Sequence, residues 1–125
     1  MTARWQPQRG EVVLVKFPFL GPDAEIQAKL RPAVIVSGPV LHRASADVII
    51  AAISSRPASL PLPTDYEIAA GTPEHSAAGL KKTSWVKVAS LANVTKSAVS
   101  RRLGKLTPSA LAEVDARLKL ALGLA

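Results

Sequence analysis

The 125-residue chain contains no cysteine. That absence removes disulfides, thiolate nucleophiles, iron–sulfur clusters and thiolate zinc sites in one step. Aromatic residues are also few: Trp5, Tyr66 and Trp85 are widely spaced and the aromatic content is 4%. Such a set is poor equipment for a run of base-stacking platforms or for a groove that reads proline-rich peptides. The two histidines, His42 and His75, lie far apart without carboxylates at ligand spacing. Both fall in stretches that read as loops, so solvated side chains are expected and no metal or other cofactor. A glycine-rich phosphate loop and a Gly-x-Ser-x-Gly elbow are missing too. No run approaches the roughly 18 apolar residues of a membrane span, and the first residues lack the apolar stretch of a secretory signal. The expectation is a soluble cytoplasmic protein with no membrane partner. With 48% apolar residues, one domain over residues 1–125 can build its core unaided.

Acidic residues are the next scarcity. Sixteen Lys and Arg face nine Asp and Glu, a net charge of +7. Between His75 and Ala112 there is no acid, while Lys81, Lys82, Lys87, Lys96, Arg101, Arg102 and Lys105 all fall there. A one-sided basic surface attracts polyanions, because neutralising phosphates releases condensed counterions.

The first half of the chain reads as strands. Residues 11–17 form a β-branched run ended by Pro18, 30–37 a second strand and 47–54 a third that is nearly all apolar. Between the first two, residues 21–29 are polar and turn-rich and read as a loop. Prolines 57, 61 and 63 forbid a central strand or helix there. An edge strand at 64–69, a loop at 71–79 and a strand at 83–88 follow. Residues 90–94 continue that strand after a bend, 95–99 make one helical turn and 101–106 a last strand. The C-terminal helix is signalled at both ends: Thr107 as N-cap, Pro108 at the first helical position, Gly123 as the stop. Leu111, Val114, Leu118, Ala121 and Leu122 share one face of it, with Glu113–Arg117 and Asp115–Lys119 as outer i,i+4 pairs. Strands first and one good helix last predict a mainly β, α+β protein, a small antiparallel barrel, open or closed, with a helical appendage.

Two places invite chemistry. Asp65 and Glu67 alternate on a strand, and a solvated edge-strand face accounts for them. Arg31 opens one apolar strand and Ser54 closes another. An arginine fork matches phosphate oxygens bidentately and stays charged at any working pH. A serine beside it adds a neutral donor, and the two suit stabilisation of a pentacovalent phosphate without a metal. The plainer reading is that Arg31 snorkels from its strand end and Ser54 only ends its strand.

The segments Arg9-Gly10-Glu11-Val12-Val13-Leu14-Val15, Phe17-Pro18-Phe19 and Leu30-Arg31-Pro32-Ala33-Val34-Ile35-Val36-Ser37 resemble the opening of the MazF/PemK toxin family. The resemblance continues through Ala51-Ala52-Ile53-Ser54-Ser55, Ala78-Gly79-Leu80-Lys81-Lys82-Thr83-Ser84 and Leu103-Gly104-Lys105-Leu106, covering about residues 9–124. It implies an SH3-like β-barrel of the MazF/CcdB type with a C-terminal helix, a homodimer, and the toxin half of a type II toxin–antitoxin pair silenced by an acidic antitoxin. The implied activity is metal-independent cleavage of single-stranded RNA, an mRNA-interferase endoribonuclease. The family arginine maps onto Arg31, as phosphate stabiliser and participant in proton transfer, and its threonine or serine onto Ser54, with Ser55 beside it. Glu25, Gln27 and Lys29 become candidate base or phosphate contacts, and Lys81 and Lys82 candidate backbone contacts. Ser90 follows Ala89 where many members carry an acid and a glutamine, so an RNA contact there is altered. Two rival readings remain. One is a gyrase-binding toxin of the same fold, against which the non-aromatic Leu122-Gly123-Leu124-Ala125 ending argues. The other is an SH3-like module that binds RNA or protein without chemistry.

Overall fold

The structure is a computed structural model describing residues 5–20, 26–56 and 60–124, without the side chains of 17–20 and 26–28. Its strands are β1 (Glu11–Leu20), β2 (Ile26–Ile35), β3 (Asp47–Ser54), β4 (Asp65–Ile68), β5 (Ser84–Thr95) and β6 (Val99–Lys105). Helices α1 (Pro39–Ala44), α2 (Pro73–Ala78) and α3 (Pro108–Leu122) and a 3-10 turn (Lys96–Ala98) complete it. All six strands pair antiparallel in one open sheet of order β4-β5-β3-β2-β1-β6.

Alternate residues along β1, β2 and β3 feed two cores. Val12, Val34, Ala51 and Ile53 join Ile68, Val86, Val88 and Leu106 under Ala110 and Val114 of α3. Val13, Val15, Ala33, Ile35, Val48 and Ile50 face the other way and pack with Val94, Ala98 and Val99. The central strands are therefore covered on both faces, which is why they read as continuous apolar runs.

Several expectations shift. β1 runs through Pro18 to Leu20; β6 has left it after Val15, giving the proline a free edge that needs no donor. β2 starts at Ile26, so the expected 21–29 loop is shorter and Lys29 belongs to a strand. β5 is a single strand, its bend a register shift opposite Ala51 and Ala52. The loop expected at 71–79 contains α2, capped by Thr72 Oγ accepting from His75 N–H at 3.2 Å. The short α1 had no signal beyond Pro39. On α3 the caps fall on Thr107 and Gly123, but the buried residues are Ala110 and Val114, while Ala121 and Leu122 are exposed. Asp115 pairs with Arg9 rather than Lys119, fixing α3 to the chain just before β1; Glu113 does pair with Arg117 at 3.0 Å.

Both histidines are buried rather than solvated. His42 is 8% exposed, with Nε2 2.6 Å from Ser37 Oγ, which itself accepts from Ile49 N–H at 3.0 Å. Burial pulls the His42 pKa below its ordinary 6.5, reinforced by Lys96 and opposed by a hydrogen bond with the Pro7 backbone and by Glu11. A base with a depressed folded pKa contributes stability that is fully present above the unfolded value. As pH falls through 6.5, the unfolded chain takes up a proton that folded His42 refuses, and that stability is lost. Thermal melts between about pH 7.5 and about pH 5.5 should show a drop that is smaller in His42→Gln; equal drops would remove His42 as the cause.

Candidate functional site: a basic cleft where the sheet forks

β2 and β3 pair only over Ala33–Ile35 against Ile50–Ala52. Beyond Ala33 and Ala52 they part: β2 stays with β1 down to Ile26, and β3 stays with β5 through Ser54. Pro32 sits at the parting and has no N–H to offer a further rung. The Arg-Pro dipeptide thus marks the fork and leaves Arg31 on its rim. A cavity of about 590 Å³ opens there.

The fork gathers most of the candidates. Arg31, Ser54, Ser55, Lys29, Lys81 and Lys82 all line this one cleft. Arg31 is exposed, and its side chain makes no hydrogen bond or ion pair among the described residues. Ser54 Oγ accepts the Arg56 N–H at 3.1 Å and donates to the Arg56 carbonyl at 3.5 Å, which curls the chain at the strand end. Ser90 lies elsewhere, exposed on the bent part of β5, and does not line the cleft. Glu25 lies outside the described residues, as does the side chain of Gln27.

Sequence reasoning missed Arg56 and did not separate Arg101 from its neighbours; both line the cleft. Lys29, Arg31, Arg56, Lys81, Lys82 and Arg101 give the wall six cationic side chains, and its lining residues include no carboxylate. The expected basic run from Lys81 to Lys105 does not form one stripe. Lys87 pairs with Asp65 at 3.1 Å and Arg102 with Glu11 at 2.7 Å. Lys96 Nζ donates to the His42 carbonyl at 2.7 Å and Lys105 Nζ to Gln8 Oε1 at 3.2 Å. The first of these pairs also revises the Asp65–Glu67 face: the Asp65 side chain is 5% exposed and bound, and Glu67 alone is solvated.

The cleft's far wall is held from α2. The Lys82 carbonyl accepts from Ser84 Oγ and meets His75 Nε2, each at 2.9 Å, which steadies the turn carrying Lys81 and Lys82. Among the described residues no group of three or more His, Asp or Glu side chains comes together as a metal site. No helix among them is long and apolar enough to cross a membrane.

Among the described residues the open antiparallel sheet thus carries a cationic cleft without a carboxylate in its lining, a surface whose field attracts anions. A family described as the PemK-like, MazF-like toxin of type II toxin–antitoxin systems matches residues 8–122, and the chain belongs to that family. Among solved structures, an endoribonuclease in complex with its cognate antitoxin from a mycobacterial species aligns with TM-score 0.71 and 24% identity, over 95% of this chain and 97% of that one. A second mycobacterial endoribonuclease aligns at 0.70 and 25%, over 95% and 93%. The Mycobacterium tuberculosis toxin MazF-mt6 aligns at 0.70 and 18%, over 92% and 98%.

Proposed function

We propose that this toxin is an endoribonuclease that cleaves single-stranded RNA in the forked cleft, with Arg31 and Ser54 as its catalytic pair. The observation that carries this reading is the meeting of Arg31 and Ser54 in one cleft with five further cations and, among the described residues, no carboxylate. RNA supplies its own nucleophile. The 2′-hydroxyl oxygen bonds to the adjacent phosphorus as the bond to the 5′-oxygen breaks, leaving a 2′,3′-cyclic phosphate and a 5′-hydroxyl. One proton leaves the 2′-oxygen and one arrives on the 5′-oxygen. The protein's task is then positioning and stabilising the charge that gathers on the phosphate oxygens. Arg31 meets that charge with its planar fork and takes part in the proton transfer. Ser54, whose oxygen accepts from Arg56 N–H, donates its hydroxyl hydrogen only over a long 3.5 Å to the Arg56 carbonyl, and turns that weakly held hydrogen to a phosphate oxygen or the leaving oxygen. Lys29, Ser55, Lys81 and Lys82 bind flanking phosphates and sugars. The same reading gives the toxin an acidic antitoxin as partner, in keeping with its net charge of +7. It also makes the toxin a homodimer, supported by Leu120, Leu122 and Leu124, each more than half exposed at the end of α3.

The test is incubation of the purified protein with a long single-stranded RNA in EDTA, beside DNA of the same sequence. Discrete RNA fragments with 5′-hydroxyl ends and untouched DNA are expected, because DNA lacks the 2′-hydroxyl. Intact RNA, or fragments ending in 5′-phosphate, would overturn the reading.

A further inference from the structure

A second cavity, of about 230 Å³, lies on β6 and is lined by Trp5, Val99, Ser100, Arg101 and Arg102. Arg101 lines both this cavity and the forked cleft, so the two share a wall. Trp5 belongs to the stretch before residue 8, ahead of the family match, and it is 36% exposed. Three residues further along, at Gln8, the chain is held by a buried carboxylate. Glu11, 4% exposed, accepts from Gln8 N–H at 2.6 Å through Oε1 and pairs with Arg102 through Oε2 at 2.7 Å. Pro7, next to Gln8 in sequence, is buried. Gln8 is thereby tied through Glu11 to Arg102 of β6, and Trp5 lines the cavity on that same strand. The same bridge divides the two arginines. Arg102 has its charge matched by Glu11, whereas Arg101 has no ion pair among the described residues.

Resting on the ribonuclease reading of the cleft, we propose that this cavity is a subsite for a nucleotide flanking the scissile one. The base lies against the Trp5 indole, and the phosphate that joins it to the cleft lies on Arg101. An aromatic face beside an unmatched guanidinium, next to a cationic cleft, is the combination that holds unstacked single-stranded nucleic acid. Because stacking is tolerant of base identity, the subsite adds affinity and sets the path of the strand more than it selects a sequence.

The chain has two tryptophans, Trp5 and Trp85, so Trp85→Phe leaves Trp5 as the only indole emitter. Short 2′-O-methyl RNA of random sequence serves as the probe, since blocking the 2′-oxygen prevents turnover. Binding should shield Trp5 from acrylamide quenching. Trp5→Ala should weaken RNA binding about tenfold, with Trp5→Phe recovering most of the loss. RNA that binds with an affinity dependent on Arg31, yet leaves Trp5 fully quenchable and indifferent to Trp5→Ala, would overturn the subsite alone. RNA that does not bind at all would remove the parent reading and the subsite together. Shielding by poly-glutamate but not by RNA would assign the cavity to an acidic protein and overturn the proposal.

Discussion

Replacing Arg31 by alanine is expected to slow RNA cleavage by about a thousandfold while moving the thermal midpoint by less than about 2 °C. The two halves of that expectation come from one fact. Arg31 is exposed on the rim of the fork and spends its guanidinium on no partner among the described residues, so the fold loses little when it goes. Substitutions away from packed or hydrogen-bonded positions typically stay within about 0.5 kcal/mol. Removing one preorganised donor from developing oxyanion charge lowers turnover by roughly a hundred- to a thousandfold, and a charged bidentate donor belongs at the upper end. Arg31→Lys should fall between, because an ammonium keeps the charge and loses the fork. Ser54→Ala should lose about tenfold, the scale of one neutral hydrogen bond, together with some order at the strand end where its oxygen holds Arg56 N–H. Single-turnover cleavage of one RNA in EDTA, with melting curves of the same samples, measures all three. Wild-type rates in Arg31→Ala would displace the chemistry from this arginine. A lost rate accompanied by a midpoint lowered by tens of degrees would make Arg31 structural instead.

The sequence made some parts of this arrangement legible and hid others for definite reasons. Caps are local chemistry, so Thr107, Pro108 and Gly123 bounded α3 where the structure has it. Strand β3 was equally plain, because a run of apolar residues between turn signals has few alternatives. Arg31 and Ser54 stood out by position, one opening a strand and one closing another, but nothing local says that the two strands part beside them. That follows from which neighbour each strand keeps, and Pro32 becomes informative only once the pairing is known. Charge patterning misled for the same reason. The acid-free stretch from 75 to 112 looked like one basic surface, yet Lys87 and Arg102 find carboxylates 22 and 91 residues away in Asp65 and Glu11, and composition cannot register such long-range matches. The burial of His42 and His75 leaves no local signal, because their short helices have almost no periodicity to detect. By composition Trp5 is one of a few aromatics too sparse for a run of stacking platforms. It lines a cavity with residues of β6, just before Gln8, which Glu11 links to Arg102 in a three-way contact that sequence distance conceals.

The largest expected loss of stability is at Gly104, on β6. A methyl group there would be driven into the Ala77 carbonyl oxygen and the backbone of Ala78. Gly79 is its counterpart: its added carbon would strike the Leu103 carbonyl, and its φ of +71° is strained for any other residue. The two glycines therefore let the C-terminal end of α2 and strand β6 pass backbone against backbone, with no side chain between them. Neither colliding atom is the free end of a flexible chain, so relief requires moving α2 or β6 as a whole. Gly104→Ala should cost at least about 3 kcal/mol, which for a domain of this size lowers the thermal midpoint by about 10 °C or more. Gly38→Ala is the control, since nothing lies within 4 Å of its added carbon and its φ of −102° suits any residue; a change within about 0.5 kcal/mol is expected there. Urea denaturation of the three proteins compares them directly, and a Gly104→Ala midpoint equal to that of Gly38→Ala would show that the crossing has room to spare. The site shares in the outcome. Gly79 and Leu103 both line the cleft, and the turn after Gly79 carries Lys81 and Lys82 into it, so forcing α2 off β6 displaces the cationic wall opposite Arg31. Cleavage by Gly104→Ala at temperatures where it remains folded should therefore fall as well, through weaker RNA binding rather than a slower chemical step.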